Sequence, residues 1–373
     1  MHIIILKNNL KESLVAVSGI RKENAQLPIL KNILLETKDN KLFISSTDLE
    51  IAVVRSVSAK ILEEGTVTVP FGIFFQIVSN LSSERVDLEI KGTALLITTD
   101  NYKAKIGTMP AEDFPIIPSV TKDKASVIRI EKEIALDALS SVMVACHVSD
   151  FRPELGGVLL HVQNEILNVV ATDSFRLAKK SIASKKMELV CEDDFSCIIP
   201  LRTVQELVRI FSSGENQQAT LYIDGNQLLC ETDDVQLVSR LIEGKFPDYQ
   251  LVIPKEYDTE VVLQKDDLTA ALRLTSSLAN RLNEVRCGIQ DDLKHITFVA
   301  ASQEFGENEY LLPAKIHGQP IQISFNWRFI LDGIKNIKAP SIRIGLNGEH
   351  KPSVIQAPDD DSFLYVLTSI KSG

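Results

Sequence analysis

The stretch Val169-Val170-Ala171-Thr172-Asp173-Ser174-Phe175-Arg176-Leu177-Ala178 runs an apolar strand into a tight polar turn and out along a second alternating strand. Thr172 and Asp173 can bond their own backbone there and replace the ladder bonds that a strand loses at a turn. The same pattern stands earlier as Phe43-Ile44-Ser45-Ser46-Thr47-Asp48-Leu49-Glu50, and a blurred third copy reads Phe298-Val299-Ala300-Ala301-Ser302-Gln303. The spacings are 125 residues from Thr47 to Thr172 and 129 from Thr172 to Ala301, in a chain of 373. A period near one third of the length makes the chain three copies of one unit. At roughly 120 residues each copy is long enough to bury a core of its own.

The parts of the unit recur in one order. Each third opens with a helix of i, i+3 or i+4, i+7 spacing: Leu10, Leu14, Val17; Leu136, Leu139, Met143; Leu268, Leu272, Thr275. Two strands follow, as Ile33–Leu35 with Leu42–Ile44 and as Val158–Leu160 with Ile166–Asn168, and then the Thr-Asp strand pair. A strand next stops at a helix start, at Val69-Pro70, Ile199-Pro200 and Phe325-Asn326. Proline suits the first turn of a helix and asparagine the N-cap. The helices that follow match position by position: Phe74, Ile77, Val78, Leu81; Val204, Leu207, Val208, Phe211; Ile330, Gly333, Ile334, Ile337. Short strands close each third. The fold class is therefore α+β, three repeated domains of two helices on antiparallel sheets.

Two proline-bearing segments join the copies, Asp113-Phe114-Pro115-Ile116-Ile117-Pro118 and Lys245-Phe246-Pro247-Asp248-Tyr249 through Ile253-Pro254. Proline keeps such segments extended. The expected domains are 1–118, 119–254 and 255–373.

Composition excludes several classes. No apolar run approaches 18 residues, so a transmembrane helix is not expected. The start, Met1-His2-Ile3-Ile4-Ile5-Leu6-Lys7, lacks the basic lead of a signal peptide and reads as a first strand. The five cysteines, 146, 191, 197, 230 and 287, form no CxxC and read as buried reduced thiols of a cytoplasmic protein. Phosphate-binding glycine loops, nucleophile elbows and metal-ligand histidine spacings do not occur, so no catalytic, cofactor or metal residue is expected. Asp359-Asp360-Asp361 reads as a solvated hairpin turn, and Asp173 with Arg176 as a salt bridge across the turn. The net charge of −10 argues against a surface coated for nucleic acid. The six helical windows (7–19, 71–81, 132–148, 201–212, 265–281, 326–338) nonetheless carry 11 Lys and Arg against 7 Asp and Glu. That excess of four leaves −14 on the remainder.

The three αβ repeats, Leu27-Pro28-Ile29-Leu30, Ala171-Thr172-Asp173 with Arg176-Leu177, the Lys245-Phe246-Pro247-Asp248-Tyr249 linker and a Tyr365-Val366-Leu367 final strand together resemble the bacterial sliding clamp family, the beta subunit of DNA polymerase III. The resemblance covers essentially the whole chain. It implies a head-to-tail homodimer, a ring of six clamp domains encircling double-stranded DNA without sequence preference, helices inside and sheets outside. Twelve helices packed roughly 8–10 Å apart give a circle of axes about 30–38 Å across. Side-chain bulk of roughly 5–6 Å on each side leaves about 20–26 Å, which admits a B-form duplex. An acidic body with a mildly basic helical face suits a ring that slides, because retention is topological and strong phosphate contacts would stop it.

The resemblance also implies sites. For DNA they are Lys11, Arg21, Lys22, Arg152, Arg202, Arg209, Arg273 and Arg328. A groove between the second and third domains takes short linear peptides of the polymerase III alpha subunit, the clamp loader, other polymerases and mismatch-repair proteins. Its matching positions are Leu155, Thr172, Ser174, Phe175, Arg176, Leu177, Pro247, Val252, Asn326, Phe329, Ser353, Val366, Leu367, Thr368 and Ile370. Dimer contacts fall on Tyr102–Thr108 of one copy and on Ser277, Leu278 and Gln303–Glu307 of the other, with Lys103 and Lys105 facing Glu304 and Glu307. The chain departs from the family at Pro70-Phe71-Gly72-Ile73, which is uncharged, at Ser174-Phe175, where Gly-His is usual, and in the tail Thr368-Ser369-Ile370-Lys371. The implied function is a non-catalytic processivity factor. Two other readings are a clamp paralogue with an altered partner groove and an α/β enzyme with an unrecognised site.

Overall fold

The structure, a computed structural model, describes residues 1–20, 27–147, 151–191, 193–213 and 217–371. Six α-helices lie among them: α1 (Lys7–Ala16), α2 (Phe71–Asn80), α3 (Lys132–Val142), α4 (Leu201–Phe211), α5 (Lys265–Thr275) and α6 (Trp327–Lys335). These are the two helices per repeat that the apolar stripes predict. The stripe residues Leu10 and Leu14, Phe74 and Val78, Leu268 and Leu272, and Ile330 and Ile334 are buried. The helices stop short of their windows. After α3 and α5 the chain tightens into 3-10 turns at Met143–Ala145 and Ser276–Leu278, a common way for the last carbonyls to find donors. Asn326 caps α6 as expected, accepting from the Arg328 amide. Pro70 and Pro200 instead end the strands Thr66–Pro70 and Phe195–Pro200, and the helices begin one residue later.

The repeat is also visible in a device the sequence did not announce. Lys7, Lys132 and Lys265 each open the first helix of their copy. Each ammonium reaches the carboxyl end of the second helix, donating to the Leu81, Ser213 and Ile337 carbonyls. A cation there meets orphaned carbonyls and the negative end of the helix dipole.

The chain divides into two compact units that cut across the repeats. The first holds Met1–Leu136, Lys185–Asp193 and Gln205–Leu241; the second holds Asp137–Ser184, Asp194–Val204 and the chain from Ile242 on. Sheet fusion is the cause. Among the described residues, the first unit has a nine-stranded antiparallel sheet made of five strands of the second repeat and four of the first. The two sets join where Val235–Arg240 pairs with Ile51–Ser58. The second unit has a nine-stranded sheet built in the same way, joined where Arg176–Ile182 pairs with Asp360–Leu367. Each unit also carries a smaller sheet. That of the first unit has five strands and ends at Lys103–Gly107; that of the second has four and ends at Gly306–Pro313.

The two clear turns are built alike. In the first, the Thr47 hydroxyl donates to the Ile51 carbonyl and accepts from the Leu49 amide, while Asp48 accepts from the Glu50 and Ile51 amides. Leu49 stands at φ 78°, a left-handed conformation the side-chain bonds enforce. The third copy lacks an aspartate. Its hairpin runs from His295–Ser302 to Gly306–Pro313 with Gly306 at φ 101°.

Candidate functional site

The second turn organises a site in the second unit. Thr172 donates to the Arg176 carbonyl at 2.7 Å and accepts from the Ser174 amide, and Asp173 Oδ1 accepts from the Phe175 and Arg176 amides at 2.9 Å each. Ser174 sits at φ 76°, as Leu49 does in the first copy. The strand leaving the turn pairs Arg176 with Leu367 and Leu177 with Val366, so the last strand of the third repeat lies beside it. Thr368 then donates twice to the Phe175 carbonyl, from its amide and its hydroxyl, at 2.9 Å each.

The linker supplies the facing wall. Phe246 and Tyr249 are buried in one apolar cluster with Leu159, Val170, Leu177, Ile198, Val354 and Val366. Asp248 caps the 3-10 turn Tyr249–Val252 by accepting from the Gln250 amide. Tyr249 also bonds His161 through its hydroxyl at 2.9 Å. Between turn, last strand and linker lies a cavity of about 250 Å³. Leu177, Val366, Pro247, Val252 and Pro352 give it apolar walls, and Thr172, Ser174 and Thr368 supply hydroxyls. Phe175 at its rim is 63% exposed, and Leu251, next to the lining residue Val252 in the chain, is 82% exposed. Such a cleft fits an extended peptide with apolar side chains.

Arg176 is turned away from a free cationic role. Its Nε bonds Asp173 at 2.9 Å, one terminal nitrogen bonds Asp332 at 2.5 Å and Tyr365 at 3.3 Å, and the guanidinium lies 4.2 Å from the Phe329 ring centroid. Burial opposes its charge, but Tyr365, Asp332 and Asp173 more than offset that, and the net shift is upward. Burial likewise raises the Tyr365 hydroxyl.

Nine of the fifteen expected groove positions line the cavity: Thr172, Ser174, Phe175, Arg176, Leu177, Pro247, Val252, Val366 and Thr368. The other six lie off it. Leu155, Ser353 and Leu367 are buried, Asn326 caps α6, Phe329 stacks under Arg176, and the Ile370 amide bonds the Ser324 carbonyl. Arg152, Asp248, Tyr249 and Pro352 line the cavity without having been expected there. Tyr249 and Asp248 were legible as part of the linker motif; Pro352 carries no local signal.

The expected DNA residues scatter. Lys11 and Arg273 are exposed on α1 and α5. Arg328 is exposed on α6, where it bonds Asn283 and stacks on Trp327. Arg202 is half-buried at the start of α4. Arg209 is engaged internally, bonding Glu206 and the Val15 and Ala16 carbonyls at the end of α1. Arg152 sits at the cavity mouth, paired with Glu154 and reaching Ser174. Arg21 and Lys22 lie outside the described residues. Of the dimer set, Tyr102, Lys103, Lys105, Ser277, Glu304 and Glu307 are exposed and Leu278 is half-buried.

The cysteines depart from the expectation of burial, since Cys146, Cys191 and Cys197 are partly exposed and only Cys230 and Cys287 are buried. All five are free thiols, and burial pushes Cys146 up to about 11 and Cys197, Cys230 and Cys287 up to about 12. Among the described residues no helix is long and apolar enough to cross a membrane.

Comparison with known proteins covers the whole chain. The family descriptions of the DNA polymerase III beta subunit match in order: the N-terminal domain over residues 1–118, the central domain over 129–248 and the C-terminal domain over 250–371. The beta sliding clamp of Vibrio cholerae is 29% identical over 378 residues, with all of both chains covered. That of Chlamydia trachomatis is 27% identical, covering all of this chain and 87% of the relative. Among solved structures, the DNA polymerase III beta subunit of Pseudomonas aeruginosa superposes with a TM-score of 0.94 at 26% identity over the full length of both. A structure of the same organism's clamp is bound to griselimycin.

Proposed function

The chain belongs to the DNA polymerase III beta-subunit family and has the function of a DNA sliding clamp, and we propose that it works as a head-to-tail homodimeric ring. The ring encircles double-stranded DNA in the cytoplasm, catalyses no reaction itself, and holds the replicative polymerase to its template. Its domains divide near residues 118 and 254. The cavity beside Leu177 and Val366 is its docking groove for short linear peptides of the polymerase alpha subunit, the clamp loader, other polymerases and mismatch-repair proteins. Griselimycin, to which a Pseudomonas clamp is bound, is the probe we choose for it.

The observation that carries the ring is the arithmetic of the sheets. Both nine-stranded sheets join five strands of one repeat to four of the preceding one. The five-stranded sheet of the first repeat and the four-stranded sheet of the third are the two halves left over. Their free edges, Lys103–Gly107 and Gly306–Pro313, occupy the positions where the other halves join. A second copy set head to tail completes a third nine-stranded sheet and leaves neither edge exposed.

The repeat supports one register for this junction. Ala52, Leu177 and Glu307 are equivalent, each paired with the turn residue Thr47, Thr172 or Ala301. Counted through each sheet from the lysine that opens the first helix, Val238, Val366 and Lys105 are equivalent. Ala52 pairs with Val238 and Leu177 with Val366. The closing junction therefore pairs Glu307 with Lys105 and, two residues along, Glu309 with Lys103. Opposite charges directly across a sheet are favourable and set polarity.

On the inner face, Lys11, Arg202, Arg273 and Arg328 give weak, sequence-independent phosphate contacts. Sedimentation tests the assembly: the expected mass is twice the 41.4 kDa of the chain. Negative-stain images should show six similar lobes around an open centre. A particle of single-chain mass throughout the micromolar range would leave the family membership standing and remove the ring.

A further inference from the structure

Asp332 lies outside the cavity, on α6, yet it bonds Arg176, whose side chain ties the groove turn to that helix and to the last strand. From this geometry we infer that Asp332 is a positioning residue for the groove: it fixes the Arg176 side chain beneath the floor and so keeps the cavity apolar and pre-shaped. The inference rests on the peptide-groove reading above. Arg176 is a cavity-lining residue flanked by Leu177, and its backbone closes the Thr172–Asp173 turn. An arginine released at that point has two outlets, solvent or the apolar cleft. Either moves the turn whose residues form one wall. Three hydrogen bonds hold it instead, to Asp173 on one side and to Asp332 and Tyr365 on the other, and the Phe329 ring lies against its plane. Tyr365 can lie there because Gly333, on the next position of α6, has no side chain; a methyl group would overlap the Tyr365 ring.

The position recurs with another use. Glu206 of α4 stands where Asp332 stands in α6, and it binds Arg209 of its own helix. The acid is thus kept while its partner changes, and only in the second unit does it reach the turn that lines a cavity. Asp332 is also 44% exposed, so its pair contributes little to overall stability. That separates positioning from mere structural support.

Calorimetric titration with griselimycin decides. Asp332→Asn should weaken binding about tenfold with an unchanged melting temperature, and Asp332→Glu should recover most of the loss. In an Arg176→Met background the Asp332→Asn change should have no further effect, because its target is gone. An affinity for Asp332→Asn within twofold of the parent overturns the inference. So do losses that simply add in the double variant. Leu177→Ser separates the two levels. If it abolishes binding while Asp332→Asn does not weaken it, positioning alone fails; if it leaves binding intact, the groove reading fails and the inference with it.

Discussion

Lys132 is the most buried of the three lysines that open a first helix, and its ammonium donates to the Ser213 carbonyl at 2.6 Å. Burial lowers its pKa, and the nearby Asp234 carboxylate offsets that in part. Lys132→Met keeps the aliphatic stem and leaves the end of α4 without its donor. It should cost about 1.5–3 kcal/mol by chemical denaturation, the size of a lost hydrogen bond to a charged group. A second residue-scale prediction concerns acid. Asp137 of α3 is penalised by burial, but Lys338 at 2.7 Å and Lys180 at 3.2 Å outweigh that and lower its pKa below 3.8. A carboxylate more acidic when folded stabilises the fold above the unfolded value and loses that contribution as pH falls through the folded one. Asp137→Asn should therefore lower the melting temperature at neutral pH and flatten its fall below about pH 4, the two curves converging in acid. Local pairs of this kind are partly legible in sequence. Asp173 and Arg176 are three residues apart and were read as a salt bridge. Asp332 and Tyr365 reach the same guanidinium from 156 and 189 residues away, and no spacing rule brings them there.

At the scale of elements, the two joined sheets raise the question of why only one junction opens into a groove. The junction residues are equivalent but their sizes differ. Where the second unit has Val170, Leu177 and Ile198, the first has Ser45, Ala52 and Thr68. The linker of the first unit fills the gap. Val120 is 8% exposed and packs on Val238 and Leu229, with Ile117 and Tyr222 against them. Its counterpart Val252 is 44% exposed at the rim of the cavity. A chain that plugs one junction with its own valine has one site to offer. Griselimycin should bind with a stoichiometry of one per chain; two would mean that the first junction opens in solution. Helices and Thr-Asp turns were readable because periodicity and turn chemistry are local. The plug was not, because it depends on which side chain of an extended linker turns inward, and both linkers carry the same Phe-Pro start.

At the scale of the whole molecule, the repeat and the free edges point to different pairings from those that resemblance alone suggested. Resemblance put Lys103 and Lys105 opposite Glu304 and Glu307. Glu304 lies in the turn before the strand, which begins at Gly306, so it has no ladder position. The register carried over from the two joined sheets replaces it with Glu309. Both glutamates and both lysines are exposed, and residues two apart share a face of a strand, so in the proposed dimer the four charges would form one patch. Each such pair contributes only about 0.2–1 kcal/mol, but like charges set directly opposite are destabilising. Reversing both lysines, Lys103→Glu with Lys105→Glu, should raise the dimer dissociation constant by about two orders of magnitude, which corresponds to about 2.7 kcal/mol. Adding Glu307→Lys and Glu309→Lys to the same chain restores opposite charges at both closing junctions and should restore the dimer. High salt should narrow the difference between the parent and the doubly reversed chain, since these charges are solvent-exposed. Sedimentation across nanomolar to micromolar concentration reads all three forms. If the doubly reversed chain stays dimeric at the lowest concentration, or if the fourfold swap fails to rescue it while each chain remains folded, the strands meet in another register.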